Sequence, residues 1–331
     1  MRPSLKCSSA QTAARPPVAP VLLAALAFGL FAMLFYVGNG LDAESWDYTL
    51  PRRMKIVLAV FLVSAAVGVS SVVFQTITAN HILTPSIMGL DNLYLFLQTL
   101  VVYAFGSGQL VFMNDAPSFL FTLVLMAGSS TALFLFMFRG EGRNVYFLVL
   151  VGLVFGTAFN GLSSFMQVLI DPNEFSVLEG RMFASFNRIN VDLLGIAALV
   201  IAAAVLWLLP EFRRLDVLIL GREQAVNLGI NYRLVVLKSL VIIAVLTSAA
   251  TVLVGPITFL GILIVSLARF LLRSYRHAVL VPGTVAVGVA VLFAGMFVTE
   301  RLLHFAAPLS VIINFIGGVY FLYLLLRTDQ L

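Results

Sequence analysis

Three histidines, one cysteine and fifteen acidic residues are what this 331-residue chain has for catalysis or metal binding. Their spacing forms no reactive set. His81, His277 and His304 are expected at separate loop ends, so they do not converge on a metal and no catalytic residue is assigned. Cys7 alone makes neither an intrachain disulfide nor a thiolate cluster. No serine stands in a Gly-x-Ser-x-Gly turn. No Gly-rich loop ends in Lys-Ser or Lys-Thr to cradle phosphates, so the chain is not expected to hydrolyse ATP by itself or to bind a cofactor. Asp91, Asp192 and Glu300 fall at the ends of apolar stretches. Proton-driven carriers place acids inside such stretches, so the pattern favours an energy source outside this chain.

One segment does suggest contact chemistry. After Pro210, residues 210–233 run long and polar, with Leu220, Gln224, Ala225 and Leu228 expected on one side of a short helix and Gly229 as its C-terminal cap. An amphipathic helix of about two turns is short for a lipid anchor and better suited to a groove on a partner.

The elements around that segment are set by where charge is missing. Residues 18–41, 56–90, 92–114, 116–138, 144–170, 193–210, 239–268, 278–299 and 302–326 contain no Asp, Glu, Lys or Arg. A helix crossing a bilayer needs roughly 20 mostly apolar residues, and eight of these nine stretches reach that length. The chain is 61% hydrophobic and 11% charged, too few charges to cover a water-soluble domain of this size. Gly255-Pro256 divides the seventh stretch into spans 234–254 and 258–272, the second short enough to require tilt or partial burial. The expectation is therefore an all-α polytopic membrane protein of about ten helices: a tail at 1–17, one transmembrane domain at 18–327 with a loop at 210–233, and a tail at 328–331. Val18–Gly38 is long for a signal-peptide core and is read as the first span.

Orientation follows from basic residues. With the N-terminus in the cytoplasm, fourteen of the twenty Lys and Arg lie inside, as the positive-inside rule requires. Both termini and the 210–233 loop are then cytoplasmic, and 170–192 is a long outer loop. The net charge of +5 is scattered over short loops and does not mark a nucleic-acid surface. Four-residue spacing of small residues, Ser64 with Gly68 and Gly152 with Gly156, predicts close helix packing.

Several motifs resemble those of the FecCD-type permeases, which carry ferric siderophores, haem or cobalamin in ABC importers. LGREQAVNLGI is similar to the family's LGxxxAxxLG, with Gly221, Ala225, Leu228 and Gly229 matching. GPITFLGILIVSLARFL resembles GPIGFIGLxxPHxxR through Gly255, Pro256, Ile257, Phe259, Gly261 and Arg269. His277 and Pro282 fit HRxLLP. Leu50-Pro51-Arg52 resembles RLPR, and Asn80, Pro85 and Met88-Gly89 fit NPLxxPxxLG. Pro308 to Arg327 resembles the last family helix. Val265-Ser266 replaces the family's Pro-His, Asp91-Asn92-Leu93-Tyr94 its small residues, and Thr49 the first Arg of RLPR. These departures look most like the catecholate-siderophore branch.

The resemblance implies a BtuC-like, type II ABC importer permease fold and a multi-pass protein of the bacterial inner membrane. The implied partners are a second permease subunit, identical or different, two cytoplasmic ATPases that use ATP and Mg, and a periplasmic or lipid-anchored binding protein. Leu220, Gly221, Arg222, Glu223, Ala225, Leu228 and Gly229 would meet the ATPase. Arg52, Arg53 and Arg301 would meet acidic residues of the binding protein. Gln75, Asn144, Tyr146, Asn160, Ser164, Gln167 and Asn314 are the polar candidates for the route. A secondary, ion-coupled transporter and an importer of haem or cobalamin remain the alternatives.

Overall fold

A computed structural model describes residues 18–38, 46–106, 116–137, 145–186 and 191–328. Thirteen α-helices occur among them: α1 Val18–Gly38, α2 Trp46–Ile77, α3 Asp91–Phe105, α4 Ala116–Met137, α5 Val145–Leu169, α6 Pro172–Met182, α7 Val191–Leu208, α8 Phe212–Leu218, α9 Arg222–Asn227, α10 Tyr232–Val254, α11 Leu260–Leu272, α12 His277–Phe297 and α13 Leu309–Thr328. Wide (π) turns at Ser86–Leu90 and Val298–Leu302 lead into α3 and out of α12.

Nine helical segments among the described residues are long and apolar enough to cross a bilayer. The thirteen-residue α11 is about 20 Å long at 1.5 Å per residue, well short of a hydrocarbon core of roughly 30 Å. It is the tenth, partial span that the Gly255-Pro256 break predicts. Gly255 ends α10 at φ 101°, with its N–H on the Thr251 carbonyl, a conformation that costs glycine little.

The bundle is layered around two helices. In α2 and α10, 72% of the span is buried, against 6% in α1 and 22% in α5 and α13. The first pair is therefore the core, and the other three present open faces to lipid or to another chain. α2 packs on α10 and α12, α1 lies against α12, and α3 and α5 pair. Small residues set the closest approaches. A Cβ on Gly68 would sit 3.1 Å from Thr284 of α12, and one on Gly89 would sit 2.9 Å from Gly156 Cα of α5, so both predicted small-residue faces are packing faces. Threonines inside the spans bond their own helix: Thr247 donates to the Ile243 carbonyl and Thr284 to that of Leu280. This satisfies a polar group locally.

The long segment 170–192 is partly helical rather than an open loop. Asp171 caps α6 by accepting from Asn173 N–H at 2.8 Å, and Pro172 takes the first helical position. The chain then turns back into the bundle, where Ser185 N–H donates to Val254 O at 2.8 Å.

Candidate functional site

The 210–233 segment is built as a rigid knob. α7 runs into a tight turn at Leu209–Glu211 that carries Pro210, then α8, a turn at Leu220-Gly221, and α9. Gly221 stands at φ 100° and Gly229 at φ 80°. Ile230 N–H donates to Ala225 O and Gly229 N–H to Val226 O, the paired bonds of a Schellman cap. Gly229 is thus the stop that the sequence predicts.

The side-chain arrangement differs from expectation. Ala225 is fully buried under α9, whereas Leu220, Val226 and Leu228 are 59%, 52% and 63% exposed. Ala225 seats the helix and does not share a face with Leu220 and Leu228. Over six residues, a helical period is too short to fix which side faces inward. Arg222 leans over the Tyr232 ring at 5.8 Å, and Glu223 is exposed. Three exposed apolar side chains beside a cation and an acid make a surface that another protein can cover.

Two buried polar clusters fasten the knob to the bundle. The Glu211 carboxylate, only 4% exposed, is held by Arg214 at 3.0 Å and Lys238 of α10 at 2.8 Å. Lys238 also lies over the Trp207 ring at 5.3 Å. In the second cluster, Asp216 Oδ1 accepts from His277 N–H at 2.8 Å and lies 2.6 Å from its Nδ1. His277 Nε2 is 2.9 Å from Thr76 Oγ1. α8, α12 and α2 are thereby pinned at one point. His277 opens α12 directly after a loop, as its position in the sequence suggests, but it is wholly buried there. Removing Asp216 with alanine would orphan two buried donors, at about 1–3 kcal/mol each. The Asp216→Ala chain should melt several degrees below wild type in detergent, with Asp216→Asn close to wild type because its amide oxygen still accepts. Equal melting of Asp216→Ala and wild type would refute the link.

At the opposite end of α2 lie the three arginines. Arg52 and Arg301 are exposed. Arg53 turns inward, donating to the Tyr36 and Val37 carbonyls at 3.1 and 2.8 Å, and so caps the C-terminus of α1. Its charge is thus engaged with the end of α1.

The polar residues proposed for the route fall in different places. Asn160 and Ser164 share the open face of α5 with Thr157. Gln167 reaches back to Thr99 of α3. Asn314 accepts from Phe259 N–H at 3.3 Å and steadies the α10–α11 break. Gln75 is 1% exposed inside the bundle. Asn144 lies outside the described residues, and the Tyr146 side chain is not described. Asp91, expected at a span end, is buried and accepts from Thr258 Oγ1 at 2.7 Å. Sequence reasoning missed the Asp216, Glu211 and Asp91 contacts.

The FecCD transport family matches residues 17–327. The chain belongs to the FecCD transport family. It is 51% identical to the petrobactin import system permease protein YclO of Bacillus subtilis, over 93% of this chain and 96% of that one. It is 33% identical to the petrobactin import system permease protein FatC of Bacillus anthracis, over 94% and 89%. A metal-chelate-type ABC transporter solved in an inward-facing conformation aligns with TM-score 0.79 at 22% identity, over 94% of this chain and all of that one. That likeness supports the all-helical permease fold of this FecCD chain.

Proposed function

We propose that this FecCD chain is one permease half of an ATP-driven importer of a ferric siderophore of the petrobactin kind. The observation that carries this is the 51% identity with YclO along nearly the whole of both chains. A second permease half, the same or different, covers the open face of α5, and the Thr157, Asn160 and Ser164 stripe then lines the route between them. Each half rests on one of two ATPase subunits, in this chain through Leu220, Val226 and Leu228, and a binding protein docks at Arg52 and Arg301. The knob is cytoplasmic and the arginines are outside, in line with the basic-residue bias. ATP binding favours one of two states of the gate and the loaded binding protein biases it from the other end. The two buried clusters carry movement of the knob into α2, α10 and α12.

The test is uptake into proteoliposomes holding the chain with its partner permease and ATPase. Ferric petrobactin should enter only with ATP inside and binding protein outside. Entry driven by an ion gradient without ATP would establish the secondary-transporter alternative instead. For the outer face, charge reversal at Arg52 and Arg301 together should slow binding-protein association about tenfold at low ionic strength. The loss should shrink once the Debye length falls toward 8 Å in physiological salt. Association measured at two salt concentrations checks this, and an unchanged rate at both would remove the arginines from the docking site.

A further inference from the structure

Where α2 ends, α11 ends and α12 begins, a cavity of about 110 Å³ lies beneath Ile219 of the knob. Gln75, Thr76, His81, Arg269, Tyr275 and His277 line it. Its polarity is lopsided. Arg269 is half-buried, touches His81 through Nη1, and keeps a buried Nε without a hydrogen bond. None of the ion pairs among the described residues involves it. Oδ1 of Asp216 is committed to the Nδ1 and backbone N–H of His277, and that carboxylate makes no ion pair with Arg269. Gln75 is 1% exposed, and neither its Nε2 nor its Oε1 has a protein partner.

These groups mostly donate. Burial, with the Arg269 guanidinium beside it, holds the His81 imidazole below its usual range. Since Arg269 donates to Nδ1, the neutral ring keeps its proton on Nε2. Arg269 Nε, Gln75 Nε2, His81 Nε2 and the Tyr275 hydroxyl are then available. At roughly 30 Å³ per water, the space holds about three waters, or one small oxyanion with a water. Water would satisfy the amide but leave the guanidinium charge unbalanced, and a half-buried charge without a counter-charge gives up hydration that nothing replaces. Guanidinium and amide donors together match a planar or tetrahedral oxyanion.

We propose that this cavity binds a phosphate-type oxyanion between Arg269 and Gln75, and that the bound anion braces α2, α11 and α12 where the knob joins them. The phosphate group comes either from free inorganic phosphate or from an anionic lipid headgroup. The site stands whether or not the chain imports siderophores.

Equilibrium dialysis of the purified full-length chain in detergent with labelled inorganic phosphate tests it, in a bis-Tris buffer whose only added anion is the phosphate itself. Saturable binding of one phosphate per chain is expected. Gln75→Leu, which keeps the volume and removes the donor, should weaken it at least tenfold, and Arg269→Gln should abolish it. If Arg269→Gln does not fold, Gln75→Leu decides. Absence of saturable binding to the wild-type chain, or Gln75→Leu binding as wild type does, overturns the proposal. Repeating the titration in nanodiscs separates the sources: binding in phosphatidylcholine that vanishes in phosphatidylglycerol assigns the anion to lipid, and binding in both assigns it to free phosphate.

Discussion

A chain carrying Leu220→Asp and Leu228→Asp should reach the membrane and melt like wild type, yet lose ATP-linked import by at least about a hundredfold. Both side chains are well exposed, at 59% and 63%, and surface substitutions away from special features stay within about 0.5 kcal/mol. Docking changes their situation. An apolar knob seated in a partner's groove is dehydrated, and an unpaired carboxylate carried there costs several kcal/mol. At about 1.4 kcal/mol per factor of ten, two such sites reach the stated loss. Ala225→Asp should also stop import, but by unfolding the knob, because Ala225 has no exposed surface. Copurification with the ATPase, ATP-dependent uptake and a melting curve separate the two failures. Wild-type uptake by the double aspartate chain would remove the knob from the coupling scheme.

What was legible in the sequence follows from the range of the forces involved. Long spans are local, and the nine charge-free stretches between 18 and 326 mark nearly all of them. The Gly255-Pro256 break and the Gly229 stop are also local, since each rests on one residue's backbone freedom. α6 was legible too: Asp171 before Pro172, with Glu174 early and Arg181 late, is a helix signature that the length of the 170–192 segment obscured. The contacts that fasten the knob were not legible. Asp216 meets His277 across 61 residues and His277 meets Thr76 across 201, and such pairs follow from helix packing that no local pattern encodes. Arg53 illustrates a different limit. Next to Arg52 it carries the same charge and shares the same motif, and only the end of α1 beside it decides that its guanidinium serves the fold. Gln75 is a route candidate because polarity inside a span is visible from sequence, whereas its burial within the bundle is not.

Gly89→Ala is the second substitution with a large expected effect, and it acts on the fold that presents the route. Gly89 stands at φ 92° in the wide turn before α3. A left-handed conformation costs an L-residue about 1–2 kcal/mol. An added Cβ would also lie 2.9 Å from Gly156 Cα and 3.1 Å from Gly152 O. Those are backbone atoms of α5, so no rotamer change relieves the contact, and overpacking adds about 1–3 kcal/mol. The sum, about 2–5 kcal/mol, should lower the melting point by roughly 3–7 °C, at about 2.1 cal/mol/K of unfolding entropy per residue. Whatever folds should hold α5 away from α3 and displace Asn160 and Ser164 with it. Two glycines calibrate the effect. A Cβ on Gly152 would meet Met88 Cε at 2.7 Å and the Met88 carbonyl at 3.2 Å; the first is the end of a flexible side chain that can swing aside and the helical backbone of Gly152 needs no left-handed conformation, so Gly152→Ala should cost less than Gly89→Ala. Gly128 of α4 has nothing within 4 Å, and alanine there should be neutral or stabilising by up to about 1 kcal/mol, because alanine is the better helix former. The order of melting points, Gly128→Ala above Gly152→Ala above Gly89→Ala, is the measurement. Wild-type melting by Gly89→Ala would mean that α5 does not approach the turn backbone to backbone, and the open stripe of α5 would then lose the support that aims it at the partner permease.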